Sequence, residues 1–142
     1  MLNRIFISSD IEGTCGIAAW EETDAEGRNY DYFCKRMTAE VDAAARGAEQ
    51  AGYISTVKDA HDSARNINPE LLPEQARIFR GWGNDIHSMM SGLDSSFAGV
   101  IFTGYHSAAG SEASPLSHTM NLQNVIIRIN GIQTSEMVMN AF

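Results

Sequence analysis

Several residues able to bind metal or move protons stand at the ends of three short, apolar runs. Asp10 and Glu12 follow Arg4–Ser9 (RIFISS), Asp59 and His61 follow Tyr53–Lys58 (YISTVK), and His106 follows Ala98–Thr103 (AGVIFT). Two carboxylates two positions apart on an extended chain project to the same side, where they repel unless a cation stands between them. Gly13 then lets the backbone turn sharply and approach a ligand. Imidazole nitrogens mixed with carboxylate oxygens suit zinc, with manganese or iron as second choices. A single catalytic zinc takes about three protein ligands. A larger donor set with one shared carboxylate suits a pair of ions, which polarise a carbonyl and acidify water.

These residues meet only if the runs lie side by side and point the same way. Runs of this kind read as strands, and the segments between them supply crossovers. From about Asn29, Phe33, Met37, Val41, Ala44, Ala45 and Ala48 fall on one helical stripe, which Gly52 ends. Ala76–Arg80 reads as a short strand, Asn84–Leu93 as a helix, and Ala98–Thr103 as a buried strand. Asn124–Ile129 and Ile132–Thr134 read as a hairpin closed by Asn130-Gly131. That hairpin could carry Glu136 to the same edge, with Ser135 capping a helix that starts there. The expected fold is α/β, a mostly parallel sheet flanked by helices with a C-terminal β-hairpin, and a metal site at the carboxyl ends of the strands.

With 142 residues the chain is sized for a single domain, 1–142. The apolar start of a helix at Met137–Phe142 suggests the N-terminal part of a longer chain. The net charge of −8 argues against a nucleic-acid groove or an anionic membrane surface, since both need clustered Lys and Arg. No apolar run is long enough to span a bilayer, and acidic residues arrive too early for a secretion signal. A cytoplasmic location with reduced thiols is expected. Cys15 reads as a small buried residue and His87 as solvated. The Gly13–Gly16 pair matches neither phosphate-loop pattern.

Ser9-Asp10-Ile11-Glu12-Gly13 with Gly16, Gly27-Arg28-Asn29-Tyr30, Asp59-Ala60-His61, Gly104-Tyr105-His106, Ser117-His118-Thr119-Met120 and Asn130-Gly131 with Glu136 occur in this order. The ordered set resembles the N-terminal half of the binuclear zinc D-aminopeptidase family and covers essentially the whole chain. The resemblance implies metal ligands at Asp10, Glu12, His61, His106 and Glu136, with Asp10 bridging two zinc ions. It implies that His118 is the catalytic side chain, acting as nucleophile, base or acid. It also implies short peptides with N-terminal D-residues as substrates and a ring-shaped homo-oligomer. Asp59 is a candidate to hold the substrate's α-amino group. Departures are Asp62-Ser63, the Ala108–Ala113 loop and a length about half that of the family. Another metal-dependent amidohydrolase or phosphoesterase, a non-catalytic metal-binding module, or an inactive fragment are the alternatives.

Overall fold

The β-branched and aromatic runs form strands, and the helical stripe forms one long helix, in the computed structural model, which describes residues 3–142. Residues 1 and 2 of the expected 1–142 domain lie outside the described residues. The elements are β1 (Arg4–Ser9), α1 (Tyr30–Gln50), β2 (Ile54–Asp59), β3 (Arg77–Phe79), β4 (Gly99–Thr103), β5 (Arg128–Ile129), β6 (Ile132–Gln133) and α2 (Glu136–Ala141). The first four strands form one sheet in the order β3-β2-β1-β4, with every pairing parallel. In that register Ser9 lies beside both Asp59 and Thr103, so three strands finish level and release their following residues at a common edge.

β1 runs through the middle, with Phe6 and Ile7 fully buried. Helix α1 covers one face, packing Phe33, Met37, Val41 and Ala45 against Ile7, Val57 and Ile67. On the other face Phe6, Met90 and Phe97 form a smaller cluster, with the two phenyl rings edge-on at 5.3 Å. The helix expected over Asn84–Leu93 is absent from that face. Only a single tight turn, Ser88–Met90, forms there. Asp85 explains the difference, because its carboxylate accepts from the His87 amide (2.8 Å) and the Ser91 hydroxyl (3.1 Å). Such local side-chain bonds compete with helix formation, and Ser88 and Gly92 both take positive φ.

β4 is an edge strand with Val100 more than a third exposed, not the fully buried strand its composition suggests. The hairpin is shorter than expected, two residues on each side, closed by Asn130 (φ 51) and Gly131 (φ 84). Both central residues therefore sit in the left-handed region, as the tight hairpin turn requires. Asn121 takes up the amides of Gln123 and Asn124 (2.9 and 3.1 Å), which draws the start of the expected strand into a turn.

Where β1 and β4 end, their loops cross in contact. The Asp10 amide donates to the Thr103 carbonyl (2.9 Å) and the Gly13 amide to the Gly104 carbonyl (2.7 Å). A Cβ on Gly13 would lie 2.0 Å from the Tyr105 carbonyl oxygen, against backbone that has nowhere to go. Gly13→Ala is therefore expected to lower unfolding stability by about 2 kcal/mol or more, the upper part of the overpacking range. Denaturant unfolding measures this; a loss below about 0.5 kcal/mol, the size of an ordinary surface change, would contradict the crossing.

Candidate metal centre

The donors come from four separate segments. The chain has left β1 by Asp10 and turns through Glu12, so this turn, and not the strand pleat, sends both carboxylates the same way. His61 follows β2, His106 follows β4, and Glu136 opens α2 behind its Ser135 cap. Asp10, Glu12, His61 and Glu136 are all buried.

Asp10 is the centre of the arrangement. Its Oδ1 lies 3.3 Å from His61 Nδ1, and its Oδ2 lies 3.4 Å from His106 Nε2. Glu12 Oε2 completes the first group, 3.2 Å from His61 Nδ1. Glu136 Oε2 completes the second, 3.5 Å from His106 Nε2. Asp10, Glu12 and His61 thus form one potential ligand set, and Asp10, His106 and Glu136 another, with Asp10 common to both. Glu12, His106 and His118 form a third convergent group.

The outer partners fix which ring atoms face inward. The Thr23 carbonyl lies 2.8 Å from His61 Nε2, and the Ser107 carbonyl 3.0 Å from His106 Nδ1. A carbonyl only accepts, so these nitrogens carry the hydrogen and the neutral rings aim their lone pairs at carboxylates. Lone pair against lone pair is repulsive, and either a proton or a metal ion relieves it. Glu12 Oε2 and His106 Nε2 are buried without a hydrogen bond, at a cost that coordination would remove. By chemistry and by these orphaned atoms, the donor set fits divalent ions of the zinc type.

Without metal, protons take that place. Burial pulls His61 down, but Asp10 and Glu12 outweigh it and hold the ring up at about 11. Burial likewise opposes the rise of His106, which Asp10 and Glu136 hold at about 10. Burial pushes Asp10 up, yet His106 and His61 bring it below its ordinary 3.8. Glu136 also falls below its ordinary 4.5; burial opposes this, and His106 and the Met120 amide outweigh it.

These shifts set a pH profile for the metal-free chain. A histidine raised on folding stabilises fully below its unfolded value and loses that contribution as pH rises through its folded value. A lowered carboxyl contributes fully above its unfolded value and loses that contribution as pH falls through its folded one. The melting temperature is therefore expected to peak between pH 4.5 and 6.5 and to decline towards pH 10–11. Zinc should reverse the alkaline decline, since ligand imidazoles must be deprotonated. Thermal melts with and without zinc check this, and a flat metal-free profile from pH 6.5 to 10 would contradict the pairing.

His118 stands beside both carboxylate groups. Its Nε2 is 3.4 Å from Glu136 Oε1 and 3.7 Å from Glu12 Oε1. Its Nδ1 lies 2.8 Å from the Leu116 carbonyl, which leaves Nε2 as the atom turned to the carboxylates. The ring stacks on His106 (3.9 Å, 7°) and meets Trp20 edge-on at 5.2 Å. A cavity of about 600 Å³ opens over Asp10, Glu12, His61, His118 and Glu136 and is walled by Trp20, Asp24, Asp62, Trp82, Met89 and Leu122.

Asp59 is not part of this site. It is fully buried and accepts from the amides of Asn66 (2.6 Å) and Ile67 (2.8 Å) and from Asn66 Nδ2 (2.8 Å). Asn66 Nδ2 also reaches the His61 carbonyl (2.7 Å), so Asp59 shapes the loop that carries His61 and is closed off from a substrate amine. Cys15 is exposed, contrary to expectation, because its amide is drawn outward to Glu40 (2.9 Å). His87 is exposed, as expected. Sequence reasoning missed Thr23, whose carbonyl orients His61, and Trp20, which braces His118. A carbonyl leaves no side-chain signature; a tryptophan at the head of an acidic loop was the available signal.

The family model described as D-aminopeptidase (peptidase M55) matches residues 3–142. A D-aminopeptidase of Bacillus subtilis (strain 168) is 31% identical over 142 residues, covering 98% of this chain and 50% of that protein. The solved structure of the Zn-dependent D-aminopeptidase DppA from Bacillus subtilis, a self-compartmentalizing protease, superposes with a TM-score of 0.90 at 30% identity. It covers 97% of this chain and 50% of that one. The chain thus spans about half the length of the relatives it matches.

Proposed function

Since the chain belongs to the D-aminopeptidase family, we propose that it holds two divalent ions, zinc by preference, and removes N-terminal D-residues from short peptides. The observation that carries this is Asp10, whose two oxygens each serve a separate histidine–carboxylate set. Glu12 and His61 would complete one ligand set, His106 and Glu136 the other. Bound zinc supplies Lewis acidity, polarising a carbonyl and making water easier to deprotonate at neutral pH.

The chain's own groups do the rest. Asp24 and Asp62, which line the cavity outside the ligand sets, offer negative charge for a substrate ammonium. His118, held by the Leu116 carbonyl, keeps Nε2 free to accept a proton from the attacking group and return it to the leaving amine. Direct attack by the same nitrogen is the variant of this role that the geometry equally permits. Ser107, through its carbonyl on His106, and Thr23, through its carbonyl on His61, keep the lone pairs pointed inward. Homo-oligomer formation belongs to the same reading. The relative DppA is a self-compartmentalizing protease, and Leu122, Val125 and Ile132 stand exposed here.

The test is metal analysis joined to a substrate panel of short D-aminoacyl peptides, their L-counterparts and phosphoesters. The expected result is two zinc ions per chain and release of N-terminal D-residues that stops with a chelator and returns with zinc. Hydrolysis confined to phosphoesters, or failure to load zinc, would overturn the reading.

A further inference from the structure

Trp82 sits in a Gly81-Trp82-Gly83 turn just after β3, with 44% of its surface exposed, yet it is fixed from two sides. Its indole N–H donates to the Asp62 carbonyl at 2.7 Å. Asp62 holds a φ of 41°, in the left-handed region that few non-glycine residues adopt. The Lys58 ammonium lies 4.4 Å from the Trp82 ring centroid. Lys58 is fully buried and donates to the carbonyls of Asp59 (2.6 Å) and Gly81 (2.7 Å). A strained backbone and a buried cation are thus both spent on holding one half-exposed ring.

That ring forms part of the cavity wall, with Met89, Met120 and Leu122, while Lys58 lies behind the wall. Charge decides what the wall accepts. An acidic side chain would meet Asp24 and Asp62, and among the described residues no lysine or arginine lines the cavity to offset them. A basic one would be drawn to those aspartates, but at Trp82 it meets a ring that already carries an ammonium against it. An apolar group meets neither obstacle and gains the indole and thioether surface. In an aminopeptidase the N-terminal residue must bring both its amine and its carbonyl to the ligand cluster, so its side chain is the one confined inside the cavity.

Resting on the metal-dependent aminopeptidase reading, we propose that Trp82 is a specificity-determining residue that selects a bulky apolar side chain on the N-terminal residue of the substrate, and that Lys58 is its positioning residue.

The experiment is calorimetric binding of D-alanine and D-phenylalanine hydroxamates to the zinc-loaded chain, which needs no turnover. The expected result is D-phenylalanine hydroxamate bound about tenfold more tightly, the upper end for an aromatic contact. Trp82→Ala should bring that ratio close to one, and Trp82→Phe should keep most of it. Lys58→Met should lower the ratio and shift the tryptophan emission, with Lys58→Arg restoring both. Because Trp82 lies at the surface, its variants remain informative even if Lys58→Met fails to fold. An unchanged ratio in zinc-loaded Trp82→Ala would overturn the wall alone. Failure of the wild-type chain to load zinc would overturn the underlying reading and the wall with it.

Discussion

Asp10→Asn is expected to empty both halves of the centre at once. Asparagine keeps the shape of aspartate but gives up its charge, and it turns an amide N–H₂ towards one of the two histidines. The first two candidate ligand groups share only Asp10, so on the proposed two-ion reading the loss reaches both. Lewis-acid stabilisation is worth several kcal/mol, and each 1.36 kcal/mol is tenfold in rate. Hydrolysis should fall by about 10²–10⁴-fold, together with zinc content. Elemental analysis of the purified variant checks the cause. An unchanged zinc-to-protein ratio would remove Asp10 from its bridging position, whatever happened to turnover.

His118→Ala is expected to separate binding from chemistry. Neither the first set nor the second contains His118, so both keep all their donors in the variant. Loss of a positioned proton-transfer group costs about 10²–10⁴-fold in rate. The variant should therefore carry wild-type zinc and turn over at that much lower rate. In the proposed role Nε2 acts on the reacting atoms and not on the bound ground state, so the fall should lie in kcat. Full turnover with normal zinc would exclude His118 from the mechanism. Loss of zinc as well would show that its stacking on His106 is needed to hold the ligand cluster.

How far the sequence disclosed this site follows from what each residue depends on. Asp10, His61 and His106 were legible because strand periodicity locates strand ends, and parallel strands bring their ends together. Asp59 shows the limit of that logic. It closes β2 at the same edge, but its carboxylate turns inward to Asn66 and Ile67, and strand position does not determine which acid faces the cavity. Glu136 depends on a hairpin whose turn was plain in Asn130-Gly131, while its path back to the sheet was not. Its place among the ligands, like the part given to His118, came from resemblance to a family and not from spacing. The helix expected over Asn84–Leu93 fails for a local reason, since Asp85 offers the backbone an easier partner. Lys58 reads only as the last residue of a strand, and the tertiary structure alone reveals it beneath Trp82.

One consequence follows from Glu136 lying in the C-terminal segment while Asp10 follows the first strand. An ion coordinated by both would act as a removable staple across nearly the full chain, and closing long loops costs only slowly more as they lengthen. Occupancy would add stability with ion concentration, as any ligand specific to the folded state does. A chelator should therefore loosen the hairpin and α2 before the sheet. In limited proteolysis the first cuts would then fall beyond Met120, at sites that excess zinc protects; cuts falling first within α1 would show that the staple does not hold.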